Sequence, residues 1–461
     1  MPNEALRSSP SARIPNDDHL GHVENAKVPL IIAGEEANGF GSRSDGSSKK
    51  ALLLQGPVGP FFRTLQKQLE QSGIQTRRVT FHAADALFAI NSNSVRFKGS
   101  AAEWEQWLRV ELTFGQFDLI IMFGSERPAH LVAHHIAQEI GCSILSLEEG
   151  YLRSGYIACE VGGNNAGQSQ LMRWKPSNCN DPQSKTPVNR HKSSLSTMVL
   201  WGAIYYFIRE VVAKSSEEKL YHRQTAGVIK ESISWLSHYN RRTLAKFKER
   251  AVIKMLIADR AQDYILVPLQ VPSDIQMRKH SRGWDNEKLI SACLTSFREN
   301  KRKQLIVFKT HPLDQNSKEL VSIVFRQAKA LGILDDIRVL QSGNLSELTK
   351  HSSGMIVINS TSAFSAFHHG IPLLVMGSAI YRHKEIATLG ETSKDITEFW
   401  RHRSAKNAVD VAGFIQAVKS HALLPGDFYS LSTQGVTAKN VVERIKVLFR
   451  KPVPGHKEKP L

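Results

Sequence analysis

Cysteine is scarce. Only Cys142, Cys159, Cys179 and Cys293 occur in 461 residues, and none forms a C-x-x-C pair. That spacing argues against a disulfide framework or a zinc site and fits a reducing cytoplasm. No run of 18 uncharged apolar residues occurs, so a spanning helix is not expected. The nearest candidate, Met198–Ile208, has 11 residues and is closed by Arg209-Glu210. Residues 1–28 lack the apolar stretch of a secretory signal. Also missing are a Walker lysine, a G-x-G-x-x-G fingerprint and a D-x-D pair. These absences leave the common phosphate loop, the dinucleotide fold and the metal-dependent type of sugar-nucleotide site unsupported. The 18 histidines show no metal-ligand spacing, so neither metal nor cofactor is expected.

Acidic residues are in deficit. There are 43 Asp and Glu against 60 Lys and Arg, a net charge of +17, with a pI near 9.7. Residues 171–255 hold sixteen Lys/Arg against six Asp/Glu, so much of the excess lies there. Such a balance favours an anionic partner: nucleic acid, an anionic lipid surface or an acidic substrate. No helix-turn-helix, zinc or RNA-recognition signature accompanies it, which sets nucleic acid aside. The middle segment reads either as a solvated helical face or as a membrane-surface helix, with Trp201, Tyr205, Tyr206 and Phe207 beside basic residues.

What is present is an alternation of apolar runs and helical spacings. With 41% hydrophobic residues the chain can bury a sizeable core, and its length suits two or three domains. Residues 1–49 are polar and read as a disordered tail. Strands are expected at Ala51–Gln55, Thr76–Phe81, Leu119–Phe123 and Ser143–Leu147, with helices at Phe61–Ser72 and His130–Ile140. Strands recur at Tyr264–Pro268, Leu305–Lys309, Ile337–Leu340, Met355–Asn359 and Pro372–Met376, again between helical stretches. The reading is α/β and GT-B-like. Two Rossmann-like domains, residues 50–165 and 261–390, face a cleft. Residues 166–260 form a loop and a basic helical segment, and residues 391–461 form C-terminal helices and a basic tail.

In parallel sheets ligands bind beyond the carboxyl ends of the strands. Five places qualify. Lys309-Thr310-His311-Pro312 follows a strand, and Lys309 and His311 can donate to a phosphate. Asn359-Ser360-Thr361-Ser362 opens a helix, where free N–H groups favour an anion; an ordinary N-cap is the plainer alternative. Gln270, Asp274 and Gln276, with His280 just beyond, supply amides and a carboxylate for a base, ribose or sugar. Glu148-Glu149-Gly150 ends a first-half strand, where paired carboxylates suit a general base or nucleophile; Arg153 can hold a substrate carboxylate. Gln55-Gly56-Pro57-Val58-Gly59 lets backbone approach a ligand without being a phosphate loop.

Taken together, in order, these segments resemble the capsule polysaccharide biosynthesis/export family of the KpsS/LipA type. Matching pieces are LLLQGPVGPFFRTL, LEEGYLRSGYIACE, LVPLQVPSDIQMRKHS, FKTHP, INSTSAFSAFHHGIPLLVMGSAIY and EFWRHR, across residues 50–430. The chain departs from that pattern at Arg153-Ser154, at His82-Ala83-Ala84-Asp85 and at Ser125. The resemblance implies a glycosyltransferase moving Kdo from CMP-β-Kdo to a phosphatidylglycerol-type lipid, peripheral at the inner face of the bacterial inner membrane, beside other capsule assembly and export proteins. It implies that Lys309, His311 and Pro312 bind the donor phosphate with Asn359, Ser360 and Thr361. Gln270, Asp274, Gln276 and His280 would lie near the donor. Glu149 would be the catalytic carboxylate, Glu148 its substitute, and His311 a catalytic partner; Gln55, Gly56, Gly59 and Arg153 would lie on the acceptor side. A non-catalytic export or assembly factor that binds the glycolipid is the alternative.

Overall fold

A computed structural model describes residues 48–152, 155–176, 195–212, 243–300, 304–315 and 317–450. The tail reading for residues 1–47 therefore lies outside the described residues.

Two sheets organise the chain. The first runs β13-β6-β5-β4-β1-β2-β3, with β1 Lys50–Leu53, β2 Gln75–Thr80, β3 Ser94–Arg96, β4 Leu119–Phe123, β5 Ser143–Glu149, β6 Tyr156–Val161 and β13 Leu423–Pro425. Strands β1 to β5 pair in parallel; β6 and β13 add an antiparallel edge. The second sheet is wholly parallel, in the order β12-β11-β10-β7-β8-β9. Its strands are β7 Tyr264–Pro268, β8 Leu305–Lys309, β9 Ile337–Leu340, β10 Gly354–Val357, β11 Leu373–Val375 and β12 Thr388–Leu389.

Strands buried on both faces read as unbroken apolar runs. In β4, β7 and β8 every residue is buried. Alternate side chains then divide between the two faces. Ala51, Leu53, Leu119 and Ile121 pack into one core, and Leu52, Leu54, Ile120 and Met122 into the other. The second sheet divides likewise: Tyr264, Leu266 and Val307 face one side, Ile265, Val267, Ile306 and Phe308 the other. This is the α/β, GT-B-like arrangement of two Rossmann-like lobes expected from the sequence.

Helices that bear on the site are α1 Phe61–Gln71, α2 Ala83–Leu87, α3 Ala101–Gly115, α4 Pro128–Ile140, α5 Leu195–Val212, α6 Arg250–Ala258, α7 Ile275–His280, α8 Asn286–Asn300, α9 Ser317–Leu331, α10 Leu345–Lys350 and α11 Ala363–His369. Residues beyond 420 return to the first lobe. β13 pairs antiparallel with β6, Phe428 meets Phe61 edge-on at 4.9 Å, and the closing helix Gln434–Arg450 buries Val441, Val442 and Ile445 in the core that holds Phe61 and Leu65.

Helix α5 contains the Met198–Ile208 stretch. No described helix is long and apolar enough to cross a membrane. The aromatics of α5 divide between inward- and outward-facing positions. Tyr205 is buried, Trp201 packs edge-on against Phe88 at 5.8 Å, and Phe207 stands exposed.

Candidate functional site

The carboxyl ends of β1, β2, β4 and β5 meet at one edge of the first sheet. β5 runs two residues past the expected Leu147 and takes both glutamates into the strand. A strand's period of two sends them to opposite faces. Glu149 is exposed and accepts from the Tyr429 hydroxyl. Glu148 is half-buried, and its Oε2 accepts from Asn164 Nδ2 at 2.6 Å and Asn165 Nδ2 at 3.1 Å. Burial pushes its pKa up to about 7; the Arg127 guanidinium and Asn164 oppose the rise, and the charges of Glu149 and Asp274 add to it.

Several features shape this corner. Gly124 has φ +73 and faces Glu148, so a side chain there would be strained. Ser125 donates its Oγ–H to Asn164 Oδ1 at 2.6 Å and its N–H at 3.1 Å, orienting the Asn164 amide so that its NH2 points at Glu148. Asn165 sits at φ 60, in the left-handed region. His130, on α4, is fully buried, and its Nδ1 lies 2.5 Å from Gly124 O. Burial, then the nearby Arg127 charge, depress its pKa to about 3 against that carbonyl contact, so the ring is neutral.

Gln55, at the end of β1, enters a buried polar network. Arg127 donates to Gln55 Oε1 at 3.0 Å, and Gln55 Nε2 donates to the Tyr205 hydroxyl at 3.0 Å. His82 Nδ1 accepts from the N–H groups of Ala84 and Asp85, so its proton is on Nε2, which lies 2.7 Å from the Tyr205 oxygen. Tyr205 then donates to Asp85 Oδ1 at 3.0 Å. The two glycines beside Gln55 serve packing. A Cβ on Gly56 would lie 2.6 Å from the Phe62 ring, and one on Gly59, at φ +102, would lie 3.0 Å from Trp201. Arg153 lies outside the described residues.

The second sheet brings Gln270, Lys309, His311 and Asn359 to one edge, at the ends of β7, β8 and β10. Gln270 and Asn359 are buried and hold each other: Gln270 Nε2 donates to Asn359 Oδ1 at 2.8 Å, and Asn359 N donates to Gln270 Oε1 at 3.1 Å. Asn359 Nδ2 also donates to Gln276 O at 2.8 Å. These amides join the two loops and leave little capacity for a ligand. Asp274 is exposed and caps α7, accepting from Gln276 N at 3.0 Å. Lys309 is buried; His311 is half-buried, and its Nδ1 accepts from Leu313 N at 3.1 Å across the Pro312 turn. Ser360 Oγ accepts from Ser362 N at 3.1 Å, and Tyr381 donates to Ser360 O at 2.5 Å, with Ser360 and Thr361 both half-buried.

The lobes touch at several places, two of them beside the site. Glu126, after β4, contacts His280 Nε2 at 3.2 Å and Lys279 Nζ at 3.3 Å. The Tyr151 ring stacks on Phe364 of α11 at 6.4 Å. The sequence reading gave no role to Glu126, Arg127, Tyr151, Glu160, Asn164 or Asn165. Glu160 carried a signal, as a lone charge inside the apolar run Tyr156–Val161; the asparagines carried none. Among the described residues no group of three or more His, Cys, Asp or Glu could hold a metal ion.

A family model described as capsule polysaccharide biosynthesis protein matches residues 118–429. The capsule polysaccharide export protein KpsS of Escherichia coli is 33% identical over 359 residues, 77% of this chain and 90% of that protein. The capsule polysaccharide modification protein LipB of Neisseria meningitidis serogroup B is 26% identical over 395 residues, 83% of this chain and 92% of that one. The solved structure of Thermosulfurimonas dismutans KpsC, beta Kdo 2,7 transferase, aligns over 86% of this chain and 99% of that chain at 12% identity, with a TM-score of 0.40. The family match takes in Glu148, His280, His311 and Ser360 and leaves out Gln55 and His82. On the span of that match and the identity to KpsS, this chain belongs to the capsule polysaccharide biosynthesis protein family.

Proposed function

We propose that this chain is a glycosyltransferase that moves Kdo from CMP-β-Kdo to a phosphatidylglycerol-type lipid, with the donor on the second sheet and the acceptor on the first. The observation that carries the reading is Glu148, a strand-end carboxylate held by the Asn164 and Asn165 amides, with a pKa raised to about 7 and sensitive to the Asp274 charge of the other lobe. A base poised near the working pH is what abstraction of a hydroxyl proton requires. In this reading the bond from the anomeric carbon to the CMP oxygen breaks. The acceptor oxygen bonds to that carbon, and its proton passes to Glu148. Lys309 and His311, with Thr361, offset the charge left on the departing phosphate. Glu148 takes the role the resemblance gives to Glu149, because Glu149 is turned toward Tyr429.

The same proposal places the chain on an anionic membrane surface. On α5, Val199, Leu200, Phe207, Val211 and Val212 are each 51–67% exposed, beside the segment richest in Lys and Arg. Apolar contact and counter-charge together suit an interfacial helix.

The test is CMP release from CMP-Kdo with a short-chain phosphatidylglycerol. Wild type should release CMP, and His311→Ala and Glu148→Gln should each slow release by at least about 100-fold. Lipid binding without CMP release would favour the export-factor alternative, and full activity in both variants would sink the site assignment.

A further inference from the structure

Behind Glu148 lies a second buried carboxylate that the reaction above does not use. Glu160 on β6 is 4% exposed. It pairs directly with Ser146, two residues before Glu148, so Ser146, Glu148 and Glu160 share one face of the sheet. Both Glu160 oxygens accept hydroxyl donors: Tyr151 Oη to Oε1 at 2.5 Å and Ser169 Oγ to Oε2. The Tyr151 oxygen in turn accepts from Asn165 N at 2.8 Å. Asn165 and its neighbour Asn164 are the residues whose amides hold Glu148 Oε2. The path from Glu160 to Glu148 therefore runs through two hydrogen bonds of Tyr151 and one asparagine turn. At the other end, the Tyr151 ring lies on Phe364, in the helix that follows Ser360 and Thr361.

We propose that Glu160 and Tyr151 are a positioning pair: Glu160 fixes the Tyr151 hydroxyl, which fixes the asparagine clamp on Glu148, while the Tyr151 ring keys that clamp to the donor-side helix. The proposal deepens the transferase reading and rests on it for the role of Glu148. Two physical points support it. A carboxylate this deeply buried is costly unless its lone pairs are filled, and here both oxygens are filled by groups that lead to the site. Asn165 is held at φ 60, a conformation that persists only when its surroundings fix it; the bond from Asn165 N to Tyr151 helps to do so. The charged and titratable groups around Glu148 are Arg127 just before α4, Glu149 and Tyr151 from its own segment, Glu160 from β6 and Asp274 from the second lobe. Burial pushes Glu160 up to about 7, as it does Glu148, and the Glu148 charge adds to the rise at Glu160.

Tyr151→Phe keeps the ring and removes only the hydroxyl. We expect kcat for CMP release to fall about tenfold, near the value of one hydrogen bond, with KM for CMP-Kdo within about twofold. Tyr151→Phe should also raise the Glu148 midpoint, because the Asn164 amide favours the ionised carboxylate and the clamp is loosened. The acid limb of the kcat profile should move to higher pH with it, a change that a merely structural role would not make. The midpoint is read without turnover in carbon-13 NMR titrations of Tyr151→Phe and wild type, assigned with Glu148→Gln. Glu160→Gln keeps an acceptor for the Tyr151 hydroxyl, so its kcat should stay within about threefold of wild type, whereas Glu160→Leu should fall as far as Tyr151→Phe. An unmoved Glu148 midpoint or a kcat within twofold of wild type in Tyr151→Phe overturns the pair. If either Glu160 variant does not fold, Tyr151→Phe decides alone. No CMP release by wild type sinks the transferase reading instead, and the NMR titration then still decides the pair.

Discussion

Glu126 reaches from the end of β4 to the second lobe, where its Oε1 lies 3.2 Å from His280 Nε2 and its Oε2 lies 3.3 Å from Lys279 Nζ. The carboxylate is 6% exposed. Burial acts to raise its pKa, but the His280 hydrogen bond and the charges of His280 and Lys279 outweigh it and hold the group below the usual glutamate range. A buried carboxylate held by a lysine and a histidine of the facing lobe is a fastening between the lobes.

Glu126→Gln should loosen it. The expected cost is roughly 1.5–3 kcal/mol of unfolding free energy at pH 7, the range for a hydrogen bond to a charged group. The sign with pH follows from the depressed pKa. The contribution is present above the unfolded value, near 4.3, and is lost as pH falls through the lower folded value. Urea unfolding at pH 7 and pH 4 measures both, and the gap between wild type and variant should narrow at the lower pH.

Gly167 supplies an independent handle on the same pair. A Cβ there would lie 2.2 Å from Glu126 Oε1 and 3.2 Å from the His280 ring. Gly167→Ala should push the carboxylate off His280 with no change of charge. Its stability loss should overlap that of Glu126→Gln, so the double variant should cost clearly less than the sum of the singles. A strictly additive double-variant cycle would show that the glycine and the ion pair act separately.

The sequence made the two sheets legible because their central strands are buried on both faces and read as unbroken apolar runs. LIIMF, YILVP and LIVFK have no competing reading as surface elements. The ends of β5 and β8 pointed in turn to the Glu148-Glu149 pair and to Lys309 and His311. The partners of those residues were not legible. Asn164 and Asn165 lie in a turn with no periodicity, and only the antiparallel pairing of β6 with β5 carries them to Glu148. Tyr205 reads as an interfacial aromatic, yet three polar groups at the ends of β1 and β2 draw its hydroxyl inward. Which face of α5 turns inward is decided by that long-range pairing, and local propensity says nothing about it.

Tyr205→Phe tests that pairing. It would leave Gln55 Nε2, His82 Nε2 and Asp85 Oδ1 without the hydroxyl they share, in a place where water is excluded. Buried polar groups stripped of a partner cost about 1–3 kcal/mol. Because the network ties α5 to the first lobe, the loss should fall locally. Hydrogen exchange across residues 195–212 should quicken by at least about tenfold, with β7 and β8 unchanged.

Glu148→Gln separates function from stability. The Glu148 carboxyl has a folded pKa of about 7 against an unfolded value near 4.3. Its folded value is raised, so ionisation is harder in the fold than in the unfolded chain. The fold is therefore penalised as pH rises through that window, and the penalty is complete above pH 7. Glutamine at this position fills the same space, carries no charge and escapes the penalty. The variant should be more stable than wild type at pH 8, by on the order of 1–3 kcal/mol, and no more stable at pH 4, where both side chains are neutral. Thermal unfolding at the two pH values checks this. A gain at pH 8 together with lost CMP release would mean that the strand-end carboxylate is kept for its chemistry, at a standing cost to the fold. A variant that is less stable at pH 8 would mean that the Arg127 charge and the Asn164 and Asn165 amides outweigh burial, and that Glu148 is an ordinary ionised side chain rather than a base poised near neutrality.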